Sequence, residues 1–139
     1  MAVKQNLDLI RKRYKAVNAH NWDRFQECYA KSIVWKDPGL PSAIKGSLAV
    51  RKRLEALTAA FPDLHWKLGR IFGQDNLVCA EFTFTGTHQT KFYDERNMNM
   101  IPATNKKVTI KASGVYKLLK GKIVDSVIYF DYGMLLTGR

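Results

Sequence analysis

Polar chemistry has few starting points in this 139-residue chain: three histidines, two cysteines and a scatter of carboxylates. Cys28 and Cys79 stand far apart, with no Cys-x-x-Cys spacing. With only three histidines and no Cys/His cluster, the sequence gives no zinc site. In a reducing compartment the default for both thiols is a free, buried side chain. His88 follows a strand-like run and opens a long loop, where its ring could donate to a substrate oxygen or bond to backbone. His65 could point inward or outward, and His20 suits a helix end. Trp35, Trp66, Phe82, Phe84, Tyr116 and Tyr129 could wall a planar ligand, although aromatic side chains at strand spacing commonly form plain core. Met98 and Met100 would make an adaptable cover over such a pocket. Asp131, at the end of the last strand-like run, reads from the residues alone as a turn cap or a partner for a surface lysine. No Gly-rich phosphate loop is present, so no cofactor is expected.

Such side chains need a frame. Leu7, Ile10, Tyr14 and Val17 recur at helical spacing, with charged residues between them. Asn21 can cap a second helix carrying Trp22, Phe25 and Tyr29. Ile33 to Trp35 reads as a short strand, and Asp37-Pro38-Gly39 as a break. Ser47 is positioned to cap a third helix with Val50, Leu54, Leu57 and Phe61 as its stripe, stopped by Pro62. Beyond Pro62 the apolar period changes from near 3.6 to 2. The runs 65–72, 77–87, 107–119 and 122–132 read as strands, with turns at 73–76 and 120–121. Residues 88–106 form a connection longer than the roughly 12–15 residues usual in a compact domain, so function or mobility is expected there. Helices gathered ahead of a sheet with one packed face predict an α+β fold in one domain, residues 1–139.

Hydrophobic residues are 46% and charged residues 25% of the chain, the profile of an ordinary globule. No apolar run reaches the roughly 18–20 residues of a membrane span. The start of the chain lacks the continuous apolar stretch of a secretory signal, which predicts a cytoplasmic protein. Lys and Arg number 23 against 12 Asp and Glu, a formal charge of +11. These basic residues are dispersed, without a basic tail, which disfavours nucleic acid as the partner.

Several segments together resemble the SnoaL-like polyketide cyclase family of the NTF2-like superfamily, over nearly the whole length. They are His20-Asn21-Trp22-Asp23-Arg24-Phe25 through Val34-Trp35-Lys36-Asp37-Pro38-Gly39, Lys45-Gly46, and Phe61-Pro62-Asp63-Leu64. Further along come Gly86-Thr87-His88 with Ile101-Pro102-Ala103-Thr104, and Gly121-Lys122-Ile123-Val124-Asp125 with Phe130-Asp131 and Leu135-Leu136-Thr137-Gly138. The resemblance implies a cone: three N-terminal helices on a strongly curved, mostly antiparallel sheet, with an apolar pocket inside and pairing into a homodimer.

In the family's cyclases an Asp near the end of the last strand acts as general acid/base, and Asp131 stands at the matching position. It would take a proton from the carbon beside a carbonyl and return one to the aldol oxygen. An apolar cavity suits this work, because desolvation raises a carboxylate's pKa. His88, His65 or Tyr116 would support it as donors, with Trp35, His65, Tyr116, Tyr129, Phe82 and Met100 around a small apolar carbonyl compound. The sequence departs from the family where the cyclases carry a Gln and a His two residues apart, since Ser113 to Leu119 holds neither. Val127 also replaces a Trp common in the last strand. A cofactor-independent cyclase or isomerase is thus one reading. A non-catalytic small-molecule-binding protein is the second, and a basic surface for an acidic partner or nucleic acid is the third.

Overall fold

The computed structural model describes residues 2–138. Helix α1 (Val3–Asn18) buries Ile10, Tyr14 and Val17, the expected stripe, together with Asn6, Arg13 and Ala16. Asn21 caps the short α2 (Trp22–Glu27) by accepting from the Arg24 N–H at 3.1 Å. The second helix ends sooner than its aromatic spacing predicts, because Tyr29 already begins β1 (Tyr29–Lys36). A two-residue strand, β2 (Ile44–Lys45), leads into α3 (Ser47–Ala60). Ser47 is the first residue of that helix rather than its cap. Gly46 takes the cap position with a φ of 101°, a backbone conformation costly for any residue with a Cβ.

Four long strands and a hairpin follow. They are β3 (His65–Gln74), β4 (Leu77–Thr87), β5 (Phe92–Asp94), β6 (Asn99–Ile101), β7 (Lys107–Leu119) and β8 (Lys122–Tyr129). The long connection is therefore not structureless, since β5 and β6 pair within it. The main sheet runs β2-β1-β8-β7-β4-β3, antiparallel throughout except where β1 pairs with β8. This is the α+β cone that the resemblance implied. No helix is long and apolar enough to cross a membrane among the described residues.

The last strand stops at Tyr129, three residues short of the reading from alternation. The chain then turns into α4 (Tyr132–Thr137), with Asp131 as its N-cap. The cap carboxylate accepts from the Met134 N–H at 3.4 Å.

Inside, strand pairing lays side chains in rows across the concave face. One row runs Trp35, Ser126, Tyr116 and Val78. Others run Ala112, Phe82 and Leu68, and Ile110, Phe84 and Trp66. α1 lies across this face beside β3, where the Asn18 side chain clips the Trp66 backbone with one bond given and one received, at 2.9 and 2.8 Å.

Candidate active site

A cavity of about 50 Å³ lies between the sheet and α3. Its walls come from Trp35, Trp66, Phe82, Phe84, Ile110, Ala112 and Ile128 of the sheet, and from Leu54 and Leu57 of α3. Phe92 of the hairpin, Phe130 and Leu135 of α4 close the remaining sides. Its volume is about a third of the roughly 150 Å³ of an engineered cavity that takes up benzene, so a ligand must displace wall side chains. Phe92 and Leu135 are carried by short elements, β5 and α4.

Two ionisable side chains reach this cavity among the described residues, Asp37 and Arg53. They are locked together. Arg53 donates from Nε and Nη2 to the two Asp37 oxygens at 2.6 and 2.8 Å. The Trp35 indole N–H gives Asp37 a third bond at 2.7 Å, and the Gly39 N–H a fourth at 2.8 Å. Each carboxylate oxygen thus accepts two bonds. A Cβ on Gly39 would lie 2.7 Å from Arg53 Nη2, so the Asp-Pro-Gly break needs glycine for this close approach.

A second polar group holds the hairpin against α4. The buried Asp94 carboxylate accepts from the Tyr132 hydroxyl at 2.7 Å and from the Asn97 side chain at 2.7 Å. Burial pushes this carboxyl up, but the donors from Asn97 and Tyr132 outweigh it, and the net shift is downward. Burial, then the neighbouring Asp94, pushes the Tyr132 phenol up. Arg53 also reaches Glu95 at 3.5 Å, and Arg96 donates to the Pro38 carbonyl at 2.8 Å.

The residues singled out from sequence are divided by the fold. Trp35 and Phe82 line the cavity as expected. Asp131 does not: it is exposed, outside the strand, and spent on capping α4. The residue of β8 that does face the cavity is Ile128. His88 is 1% exposed, stacked on Phe61 at 4.9 Å between ring centres, and neither ring nitrogen has a hydrogen-bond partner. Burial pulls its pKa below the ordinary histidine value, so the ring is neutral. It is not brought to Asp131. His65 is exposed, on a shallow groove with Arg11 and Lys15. Tyr129 is 57% exposed on the outer face. Met100 is exposed too, in a separate groove between α3 and the hairpin. Tyr116 is fully buried but sits behind the cavity, its hydroxyl 2.8 Å from that of Tyr14.

Sequence reasoning passed over Asp37 and Arg53. Asp37 reads in sequence as part of a turn signal, and Arg53 as one of the dispersed basic residues, although it adjoins Leu54 of the α3 stripe. It also passed over Arg13, which falls three residues after Ile10 and four before Val17, on the buried stripe of α1. Among the described residues no three His, Cys, Asp or Glu side chains gather as a metal site.

The fold has close counterparts of known structure. IdmH of Streptomyces antibioticus, a proposed polyketide cyclase, superposes with a TM-score of 0.79 at 21% identity, covering 97% of this chain and 99% of that one. A proposed polyketide cyclase of Xanthomonas campestris pv. campestris gives 0.83 at 15% identity, with 96% of each chain covered. An LEH-like epoxide hydrolase of M. tuberculosis gives 0.71 at 18% identity, covering 94% and 86%. At such identities these likenesses speak for the fold alone. No match was found among curated proteins. The family model for the SnoaL-like polyketide cyclases matches residues 8–137, nearly the whole chain, and the protein belongs to that family.

Proposed function

We propose that this SnoaL-like protein binds a small, largely apolar molecule in its cone, without acid/base chemistry at Asp131. The observation that carries this reading is the saturation of Asp37. The one carboxylate on the cavity wall, among the described residues, accepts four donors at 2.6–2.8 Å, leaving no free lone pair to take a proton. Asp131 itself is engaged at a helix start outside the wall. An apolar, aromatic lining with a fixed polar rim is the usual build of a small-molecule pocket. Arg53 keeps N–H groups beyond those bound to Asp37, so its fork can hold the pair and still meet a ligand's carbonyl oxygen at the rim.

The test is titration of ¹⁵N-labelled protein with toluene and cyclohexanone, followed by amide shifts around the cavity. Saturable shifts on β4, β7 and α3 are expected, with the ligand recovered unchanged. Ala112→Val fills space in the cavity wall and should weaken binding about tenfold or more while leaving stability at or above wild type. Equal binding by the variant, or a chemically altered product whose formation Asp131→Asn abolishes, would overturn the proposal.

A further inference from the structure

Behind the cavity, among the aromatic rings that α1 packs against, lies a cation without a counter-charge. The Arg13 side chain is 0% exposed. Its guanidinium carbon sits 4.5 Å from the centre of the Tyr14 ring and 5.3–5.8 Å from those of Phe25, Trp35, Trp66 and Tyr116. Nε donates to the Tyr29 hydroxyl at 2.9 Å, but Nη1 and Nη2 have no partner. No carboxylate lies within ion-pair distance of it among the described residues. The tyrosines around it do not supply the charge. Burial pushes the Tyr14 phenol up to about 12, and raises Tyr29 and Tyr116 as well, so all three remain neutral.

Two further buried groups here lack partners, and both can donate. Ser126 Oγ is one; its backbone pairs with Trp35 on one side and Tyr116 on the other, two of the residues whose rings hold the guanidinium. The Trp66 indole N–H is the other, on a ring that contacts Arg13 and also lines the cavity. The interior at this point is rich in donors and poor in acceptors. Aromatic faces recover part of the cost of burying a cation, but they cannot accept four N–H bonds in good geometry.

We propose that Arg13, Ser126 and Trp66 form an anion-binding seat for a small carboxylic acid whose apolar body occupies the cavity. This rests on the binding reading above and names the class of ligand. Trp35 and Trp66 stand between cavity and guanidinium. Trp35 is pinned by its bond to Asp37, whereas no hydrogen bond holds the Trp66 ring. Rotation of Trp66 opens the cavity toward the guanidinium. A carboxylate oxygen then meets the Arg13 fork, which matches its planar geometry. The net charge of +11 favours approach of an anion.

The experiment compares benzoate with benzamide at neutral pH by calorimetry and by the Trp66 indole N–H resonance, in wild type and in Arg13→Met. Methionine keeps the apolar length without the charge. Benzoate should bind wild type about tenfold or more tighter than benzamide and move the Trp66 resonance, and the preference should vanish in Arg13→Met. Should that variant not fold, the wild-type preference and the Trp66 shift decide alone, with Ser126→Ala expected to lower the preference several-fold. Equal binding of acid and amide, or a preference that survives Arg13→Met, overturns the inference and leaves the binding reading intact. Binding of neither ligand overturns the inference, and absence of toluene and cyclohexanone binding as well overturns the binding reading. A Trp66 shift produced equally by sodium chloride shows a halide seat and refutes the carboxylate assignment.

Discussion

Asp37→Asn tests whether the pair at the cavity rim is a buried ion pair in energy as well as in place. The Asp37 side chain is 4% exposed and the Arg53 side chain 17%. Asparagine keeps the shape but turns one acceptor into a donor. Whichever way the amide is placed, its NH₂ faces two donors: the Trp35 indole with Arg53 Nε, or the Gly39 N–H with Arg53 Nη2. Two charge-assisted bonds are lost, at about 1.5 kcal/mol each, or about 3 kcal/mol in all. That agrees with the range of about 3–5 kcal/mol for breaking a buried pair, at its low end because Arg53 can relax toward solvent and Glu95.

Urea unfolding should show this as a midpoint lower by about 1.5 M at an unchanged slope near 2 kcal/mol per M. Thermal unfolding should fall by about 10 °C. Arg53→Met should cost a comparable amount, since it leaves Asp37 buried with two of its four donors. The double variant should cost less than the sum by about 1.5 kcal/mol, because one Arg53–Asp37 bond is lost in both single variants. A cost below about 1 kcal/mol for Asp37→Asn, or additivity in the double variant, would place the pair among exposed ion pairs and refute the reasoning.

Two further predictions follow from the reassigned residues. Asp131→Asn should change stability by less than about 1 kcal/mol, since asparagine caps helices as well as aspartate does, and toluene affinity should stay within about twofold of wild type. A larger loss of binding would return Asp131 to the site. His88 gives a pH dependence of definite sign: its folded pKa lies below the ordinary value near 6.5, so the unfolded chain takes up the proton first as pH falls. The contribution is fully present above about pH 6.5 and is lost as pH drops from there through the folded value. His88→Phe keeps the stack on Phe61 and removes the titrating group, so its unfolding free energy should vary less between pH 7.5 and 5. Parallel curves for the two proteins would refute this.

The frame was legible because its periods are clean. The 3.6 stripe of α1 and the strict alternation of β4 each survive intact, and the α+β class follows from helices preceding a sheet with one packed face, while the cone itself came only with the family resemblance. The short elements were not legible. α4 is six residues long and β6 three, too few for a period to show. Asp37 was hidden for a different reason. An Asp-Pro-Gly run signals a turn, and nothing local announces that an arginine sixteen residues later will clamp it.

The direction of β8 was open in the sequence for a physical reason that also bears on Asp131. By simple alternation Ile123, Val127 and Asp131 share one face, and Ser126 and Ile128 the other. The structure buries Ile123, Ser126 and Ile128 alike. Register shifts on both neighbours, between Tyr29 and Val34 on β1 and between Lys117 and Leu118 on β7, change the phase of β8 after Ile123. From there Ser126 and Ile128 point inward while Tyr129 is exposed. Continued in that phase, the strand would carry Asp131 to the outer face even without the turn into α4. The same irregularity that withholds a carboxylate from the cavity delivers the Ser126 hydroxyl to the row between Trp35 and Tyr116, two of the rings around Arg13. One change of phase thus gives the last strand an apolar wall at Ile128 and a buried, unpartnered hydroxyl at Ser126, the two features on which the proposed seat for a carboxylic acid depends.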